Sequence, residues 1–261
     1  MLRLRKSAFT RQVAGALTTI ALGLLMTASS AWAQAPDQKT IQSTQIIFND
    51  PTPPQQGSPS GRQRGGASRG PCRQFEALTA LVPTHKGFVW GQTVSDRPTF
   101  WFYLPNALTE KTPIEFVVQD AADNYIYNTR ITAPDTKPGL IRLPIPATAK
   151  ALEVGKAYTW TLSVYCDPAK PSSSVFVSGM VQRVASDATL HNRLKAATPL
   201  EQVRLYAEKG IWYNAVDTLA ELYRMKPSDH QLTSTWITLL KQAKLGNLTT
   251  APFSPCCTPK W

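Results

Sequence analysis

The stretch Thr99-Phe100-Trp101-Phe102-Tyr103-Leu104 decides how this chain folds. In an extended strand, Phe100, Phe102 and Leu104 fall on one face, with Trp101 and Tyr103 on the other. Aromatic side chains fit a pleated, half-buried surface, so this segment reads as a strand. A second stretch, Ala157 to Cys166, has the same period of two. It sets Trp160, Leu162, Val164 and Cys166 opposite Thr159, Thr161, Ser163 and Tyr165. The first set is a core face, and Cys166 sits at its end.

Outward from these two segments, short β-type runs continue from Glu76 to Val184. Further strands are expected at Ala77–Val82, Phe88–Thr93, Ile114–Gln119, Tyr125–Ile131, Gly139–Leu143 and Val175–Val184. Asp120-Ala121-Ala122-Asp123-Asn124 reads as a hairpin turn, because short polar side chains bond their own backbone and tolerate left-handed angles. Prolines 83, 98, 105, 113, 138, 144 and 146 fall at strand ends, where a missing amide hydrogen is tolerated. About eight strands with regular turns predict an antiparallel, immunoglobulin-like β-sandwich over residues 72–187.

Beyond Asp187 the period becomes helical. A first helix is expected near Ala188–Ala196. Thr198-Pro199-Leu200-Glu201 is a capping box with proline at the first helical position, and Gly210 is a natural stop. A helix fits Trp212 to Met225, ended by Pro227. Ser228-Asp229-His230-Gln231 reads as a second capping box, opening a helix through Trp236, Leu239 and Leu240 toward Gly246. The order Ala207, Gly210, Ala215, Pro227 is similar to a tetratricopeptide helix pair. Residues 188–248 are therefore expected to form a small helical domain, followed by a cysteine-containing tail at 249–261.

The amino-terminal residues have a different character. Arg3, Arg5, Lys6 and Arg11 precede an apolar run from Val13 to Met26 and the sequence Ala31-Trp32-Ala33. That order is a secretory signal over residues 1–33, with cleavage expected between Ala33 and Gln34. The run falls short of the roughly 20 residues of a membrane span, although an uncleaved anchor is the alternative. No later segment is apolar enough to cross a bilayer, so the expectation is an exported periplasmic or extracellular protein. Residues 34–71, with prolines 51, 53, 54 and 59 and the run Gly61-Arg62-Gln63-Arg64-Gly65-Gly66, read as a flexible, solvated linker.

The chain has 261 residues and a net charge of +11; four positives lie in the signal, so the mature part carries +7. A basic balance favours anionic partners such as acidic polysaccharide or lipid headgroups. Export argues against nucleic acid.

Four cysteines, Cys72, Cys166, Cys256 and Cys257, all follow the signal. An even count in an exported chain points to disulfides. Adjacent cysteines rarely bridge each other, so the economical pairing joins Cys72 and Cys166 separately to Cys256 and Cys257. The second arrangement is Cys72–Cys166 with a vicinal Cys256–Cys257 pair, which would be redox-labile. A four-thiolate metal site is a third, but it lacks the paired short spacing of zinc sites.

Other candidates for chemistry are weaker. His85, His191 and His230 lie far apart, without ligand spacing, and no nucleophile elbow, phosphate loop or zincin motif occurs. Glu110 with Glu115, or Asp120 with Asp123, are the imaginable carboxylate pairs; the second reads as turn chemistry. Asp120, Asp123 and Asn124 offer too few oxygens for calcium. Trp90, Trp101 and Tyr103 would form a stacking platform for sugars if their face were exposed. Neither a cofactor nor a metal is expected.

Together, RGGASRGPC (64–72), LTALVP (78–83), TFWFY (99–103), YCDP (165–168), VQRV (181–184), YAEKGIWYNAVDTLAEL (206–222) and CCTP (256–259) resemble a family of exported cyanobacterial proteins, domain of unknown function 928. The resemblance implies a cyanobacterial source and export, and brings no catalytic residues with it. The leading expectation is a non-catalytic envelope protein that binds a partner protein or a surface glycan. The alternative is a redox-responsive or metal-handling protein acting through Cys256 and Cys257.

Overall fold

A computed structural model describes residues 45–53, 61–66, 70–167, 169–170 and 172–257; the expected export signal lies outside them. Strands β1 (Thr79–Ala80), β4 (Thr99–Leu104) and β7 (Gly139–Pro144) form a three-stranded antiparallel sheet in the order β1-β4-β7. Strands β2 (Thr84–His85), β3 (Phe88–Thr93), β5 (Ile114–Gln119), β6 (Tyr125–Ile131), β8 (Ala157–Tyr165) and β9 (Ser174–Arg183) form a second sheet, ordered β2-β3-β9-β8-β5-β6. Four helices follow: α1 (Ala188–Ala196), α2 (Pro199–Glu208), α3 (Trp212–Met225) and α4 (His230–Gln242). The chain is mostly β, with a helical carboxy-terminal part.

One pairing departs from the expected antiparallel pattern. β3 runs parallel to β9, with Trp90 opposite Met180 and Thr93 opposite Arg183, so the larger sheet is mixed. β1 is also shorter than its sequence suggested. β2 exists because Lys86 and Gly87, both at positive φ, make a two-residue turn back into Phe88.

The two faces of β4 bury different things. Phe100 and Phe102 point between the sheets, where they meet Phe116 and Trp160 at ring distances of 5.0–6.0 Å. Trp101 on the opposite face is also buried, and its indole donates to Asp217 of α3 at 2.9 Å. Helix α3 thus covers the smaller sheet and reaches between the two sheets. The Trp212 indole donates to the Leu81 carbonyl at 2.7 Å, and the Tyr213 ring lies 5.1 Å from Phe100. Sheets and helices share one core, and Thr44–Trp261 forms one compact unit rather than a sandwich with a separate helical domain.

The caps follow the sequence at α2, where Thr198 and Glu201 form the reciprocal capping box and Gly210 takes φ 72°. At α4 the cap is Asp229 rather than Ser228; its carboxylate accepts from the Gln231 and Leu232 amides at 2.8 and 3.1 Å.

The described parts of the expected linker are packed against the fold. Ile46 and Phe48 are buried, and Phe48 meets Trp212 edge-on at 4.9 Å. The Gln242 side chain bonds the backbone on both sides, accepting from the Phe48 amide and donating to the Ile46 carbonyl. Arg62 bridges to Ser178 of β9 and Arg64 to Thr79 of β1, so residues 61–66 clasp both sheets. The Gly65 backbone lies so close to Val175 that a Cβ would sit 2.6 Å from its methyl carbon. Close approach, not flexibility, explains that glycine.

Candidate functional site

Disulfide pairing departs from the economical arrangement. Cys72 joins Cys166 across 94 residues, with Cα atoms 5.3 Å apart, while Cys256 joins Cys257. The tail is held by packing instead. Phe253 sits among Trp101, Tyr223 and Trp236 at ring distances of 5.6–5.9 Å. Its neighbours bond the edge of β7: the Leu140 amide donates to the Pro252 carbonyl at 2.7 Å and the Ser254 amide to the Leu140 carbonyl at 2.9 Å. This anchor was missed in the sequence, where its one signal was a lone aromatic between prolines 252 and 255.

The tail forms one wall of a groove of about 1100 Å³. The other wall is the inward face of β6. Tyr127 and Thr129 of β6 pair with Val118 and Phe116 of β5, whose side chains are buried between the sheets. Ile131 follows, opposite buried Ile114. These three β6 side chains are only half-buried. Leu140 and Arg142 of β7, Glu221 and Arg224 of α3 and the Cys256–Cys257 pair complete the lining.

Charge at the groove is organised around Asp217 and Glu221. Asp217 accepts from the Trp101 indole at 2.9 Å and from Arg142 Nε at 3.2 Å. Glu221 lies 3.5 Å from Arg142 and accepts from Arg224 at 2.7 Å, which holds the Arg224 proton more tightly than usual. Arg142 also donates to Thr99. A helix face and a sheet edge are thus tied by side chains four residues apart on α3, one turn of helix.

The expected aromatic platform does not form. Trp90 and Trp101 are buried, with 1% and 3% exposure, and they belong to different sheets; Tyr103 is partly buried against the core. The platform required an exposed face, and both faces of β4 are covered.

The histidines stay apart. His85 contacts Asp50 at 2.8 Å, while His191 and His230 are exposed on α1 and α4. Glu115 accepts from the Tyr165 hydroxyl at 2.6 Å, which pushes the phenol up. Asp120 accepts from the Ala122 and Asn124 amides and the Asn124 side chain, and these bonds, the Asn124 side chain first, lower its pKa. It serves the hairpin. Among the described residues no three His, Cys, Asp or Glu side chains gather as metal ligands, and no helix is long and apolar enough to cross a membrane.

The fold and groove define a two-sheet, mostly β protein with a helical carboxy-terminal part and an elongated cleft at its sheet edge. Residues 64–253 match the family model described as Domain of Unknown Function (DUF928), and the chain belongs to that family. No curated protein matches the chain.

Proposed function

We propose that this chain is an exported, non-catalytic envelope protein whose groove between β6 and the tail receives a partner protein or a surface glycan. The groove itself carries the reading. It combines apolar surface from Tyr127, Ile131 and Leu140 with guanidinium groups from Arg130, Arg142 and Arg224, the mixture expected of a recognition cleft. The Cys72–Cys166 bridge is compatible with an oxidising compartment. The amino-terminal signal pattern supports export to the periplasm or exterior, and the family resemblance a cyanobacterial source.

Two finer readings of architecture belong to this proposal. The strand order supports an immunoglobulin-like sandwich: the chain crosses between sheets from β1 to β2, β3 to β4, β4 to β5, β6 to β7 and β7 to β8. The antiparallel pair α2–α3, with Gly210 between, supports a tetratricopeptide-like hairpin used here to brace the sheets.

The test pairs capture with a groove variant. Wild-type chain and Tyr127→Arg, both of unchanged melting temperature, are compared for retention of envelope proteins and of acidic polysaccharides. Selective loss of a retained species in the variant is expected; identical retention overturns the reading. Amino-terminal sequencing of the protein from an extracytoplasmic fraction, expected to begin at Gln34, tests export.

A second reading rests on one observation, that Cys256–Cys257 lines the groove. In it the pair responds to redox state: a dithiol reductant supplies two electrons and two protons, yielding two cysteine thiols and its own disulfide. A change in groove ligand affinity on reduction, absent from a Cys256→Ser, Cys257→Ser variant, is its signature.

A further inference from the structure

We infer that the cavity between the β2–β3 turn, the end of α4 and the segment 45–53 is a binding site for a phosphate group. It shares no lining residue with the groove.

The cavity measures about 260 Å³, and three segments distant in sequence converge on it. Asp50 comes from the first segment, His85 and Lys86 from β2 and its turn, and Gln242 and Lys244 from the end of α4. The walls are tied together. The Gln242 side chain bonds the backbone at Ile46 and Phe48, and Asp50 Oδ2 lies 2.8 Å from His85 Nδ1.

Two lysines mark the cavity out. Lys86 takes φ 48° and Lys244 φ 61°, the left-handed region that favours glycine. Lys86 precedes Gly87 in the two-residue hairpin turn, where asparagine, aspartate or glycine is the usual choice. Lys244 stands where α4 reverses: its amide donates to the Lys241 carbonyl at 3.0 Å and the Leu245 amide to the Leu240 carbonyl at 2.8 Å. Glycine normally closes such a helix end. Only four described residues other than glycine take positive φ, and two of them are lysines lining this one cavity. Backbone strain retained in this way points to function.

Charge sets the ligand. Arg142 and Arg224 in the groove are answered by Asp217 and Glu221. Neither Lys86 nor Lys244 has an ion pair among the described residues, whose pairs all lie on other side chains. Asp50 is the one acid on the walls and lies against His85. The cavity therefore carries one excess positive charge with His85 neutral and two with it protonated. Two ammonium groups on separate segments suit a divalent oxyanion, for which lysine acts as a point charge. The volume admits a phosphate and its ester carbons rather than a polymer. Asp50 is the fold's own anion there, and it competes with the ligand.

The test titrates inorganic phosphate into the folded chain at an ionic strength held constant with chloride, following the Gly87 and Leu245 amides by NMR. Both should shift and saturate together. Lys86→Gly and Lys244→Gly each remove an ammonium and relieve a left-handed residue. Each should raise the midpoint about fivefold while denaturing at the same or a higher temperature than the wild type. Asp50→Asn should lower the midpoint about fivefold. Solvated lysines with no ligand would give the thermal gain and an unmoved midpoint, which overturns the inference, as does the lack of a saturable shift. Phosphatidylcholine vesicles doped with phosphatidic acid should sediment the chain if a lipid headgroup supplies the phosphate, and should leave it in solution if a soluble ester does. Vesicles doped with oleate should leave it in solution in either case; sedimentation with them overturns the inference.

Discussion

The Trp160 indole donates to the Tyr213 hydroxyl at 2.7 Å, joining the centre of the larger sheet to the first turn of α3. Tyr213 passes the bond on to the Met180 carbonyl at 3.0 Å. All of this happens in the core, with Trp160 and Tyr213 almost wholly buried. Tyr213→Phe keeps the ring but leaves the Trp160 N–H without its acceptor. An unpaired buried donor costs about 1–3 kcal/mol. Chemical denaturation should register a loss of that size, and its cost should be non-additive with that of Trp160→Phe in a double-mutant cycle.

The same hydroxyl gives the fold an alkaline limit. Desolvation raises the Tyr213 phenol well above its ordinary value, and only the Trp160 bond opposes that shift. The unfolded chain therefore releases this proton first. Stability should be insensitive to Tyr213 below pH about 10 and should fall as pH rises beyond it. Tyr165, raised by its bond to Glu115, and Tyr206, raised by burial, act in the same direction. Thermal denaturation from pH 8 to 12 checks this, with Tyr213→Phe expected to show a shallower alkaline decline.

Gly139 holds the tail's seat. It takes φ 149°, and a Cβ there would collide with the Pro252 carbonyl oxygen. Gly139→Ala should displace the tail from β7 and cost about 1–3 kcal/mol, as overpacking does. Limited proteolysis should cleave near Phe253 sooner in the variant than in the wild type.

The Cys72–Cys166 bridge closes a loop of 94 residues that contains β1 through β8. On chain-entropy grounds its removal should cost about 4–5 kcal/mol. Cys72→Ala, Cys166→Ala should denature at markedly lower urea concentration. Peptide mapping without reduction should recover Cys72 linked to Cys166, and a Cys256–Cys257 peptide lighter by two hydrogens than its reduced form.

Strands and helices were legible wherever periodicity was strong. β3 to β6 and α3 begin and end where alternation and helical spacing placed them. Non-local partnerships were not legible. The parallel β3–β9 pair joins Trp90 to Met180, and nothing in either strand names the other. Lys86-Gly87 makes a turn normally announced by asparagine or aspartate, so β2 was hidden. Alternation assigns two faces to β4 but does not say what covers the second, so the place of Trp101 against helix α3 was not legible. The groove was unreadable for a related reason: its lining comes from β6, β7, α3 and the tail, a property of assembly rather than of any segment.

The Phe48 packing and the clasp at residues 61–66 carry the folding unit beyond the limits of the family match. The family match begins at Arg64 and stops at Phe253, two residues after Arg62 and one before Ser254. A fragment trimmed to those limits would lose both hydrogen bonds between Arg62 and Ser178, the Phe48 cover over Trp212 and the Ser254 bond to Leu140. It would bare apolar surface and open strand backbone together, the combination that drives association of otherwise folded domains. Recombinant versions that keep residues 45–257 should stay monodisperse where the shorter fragment precipitates.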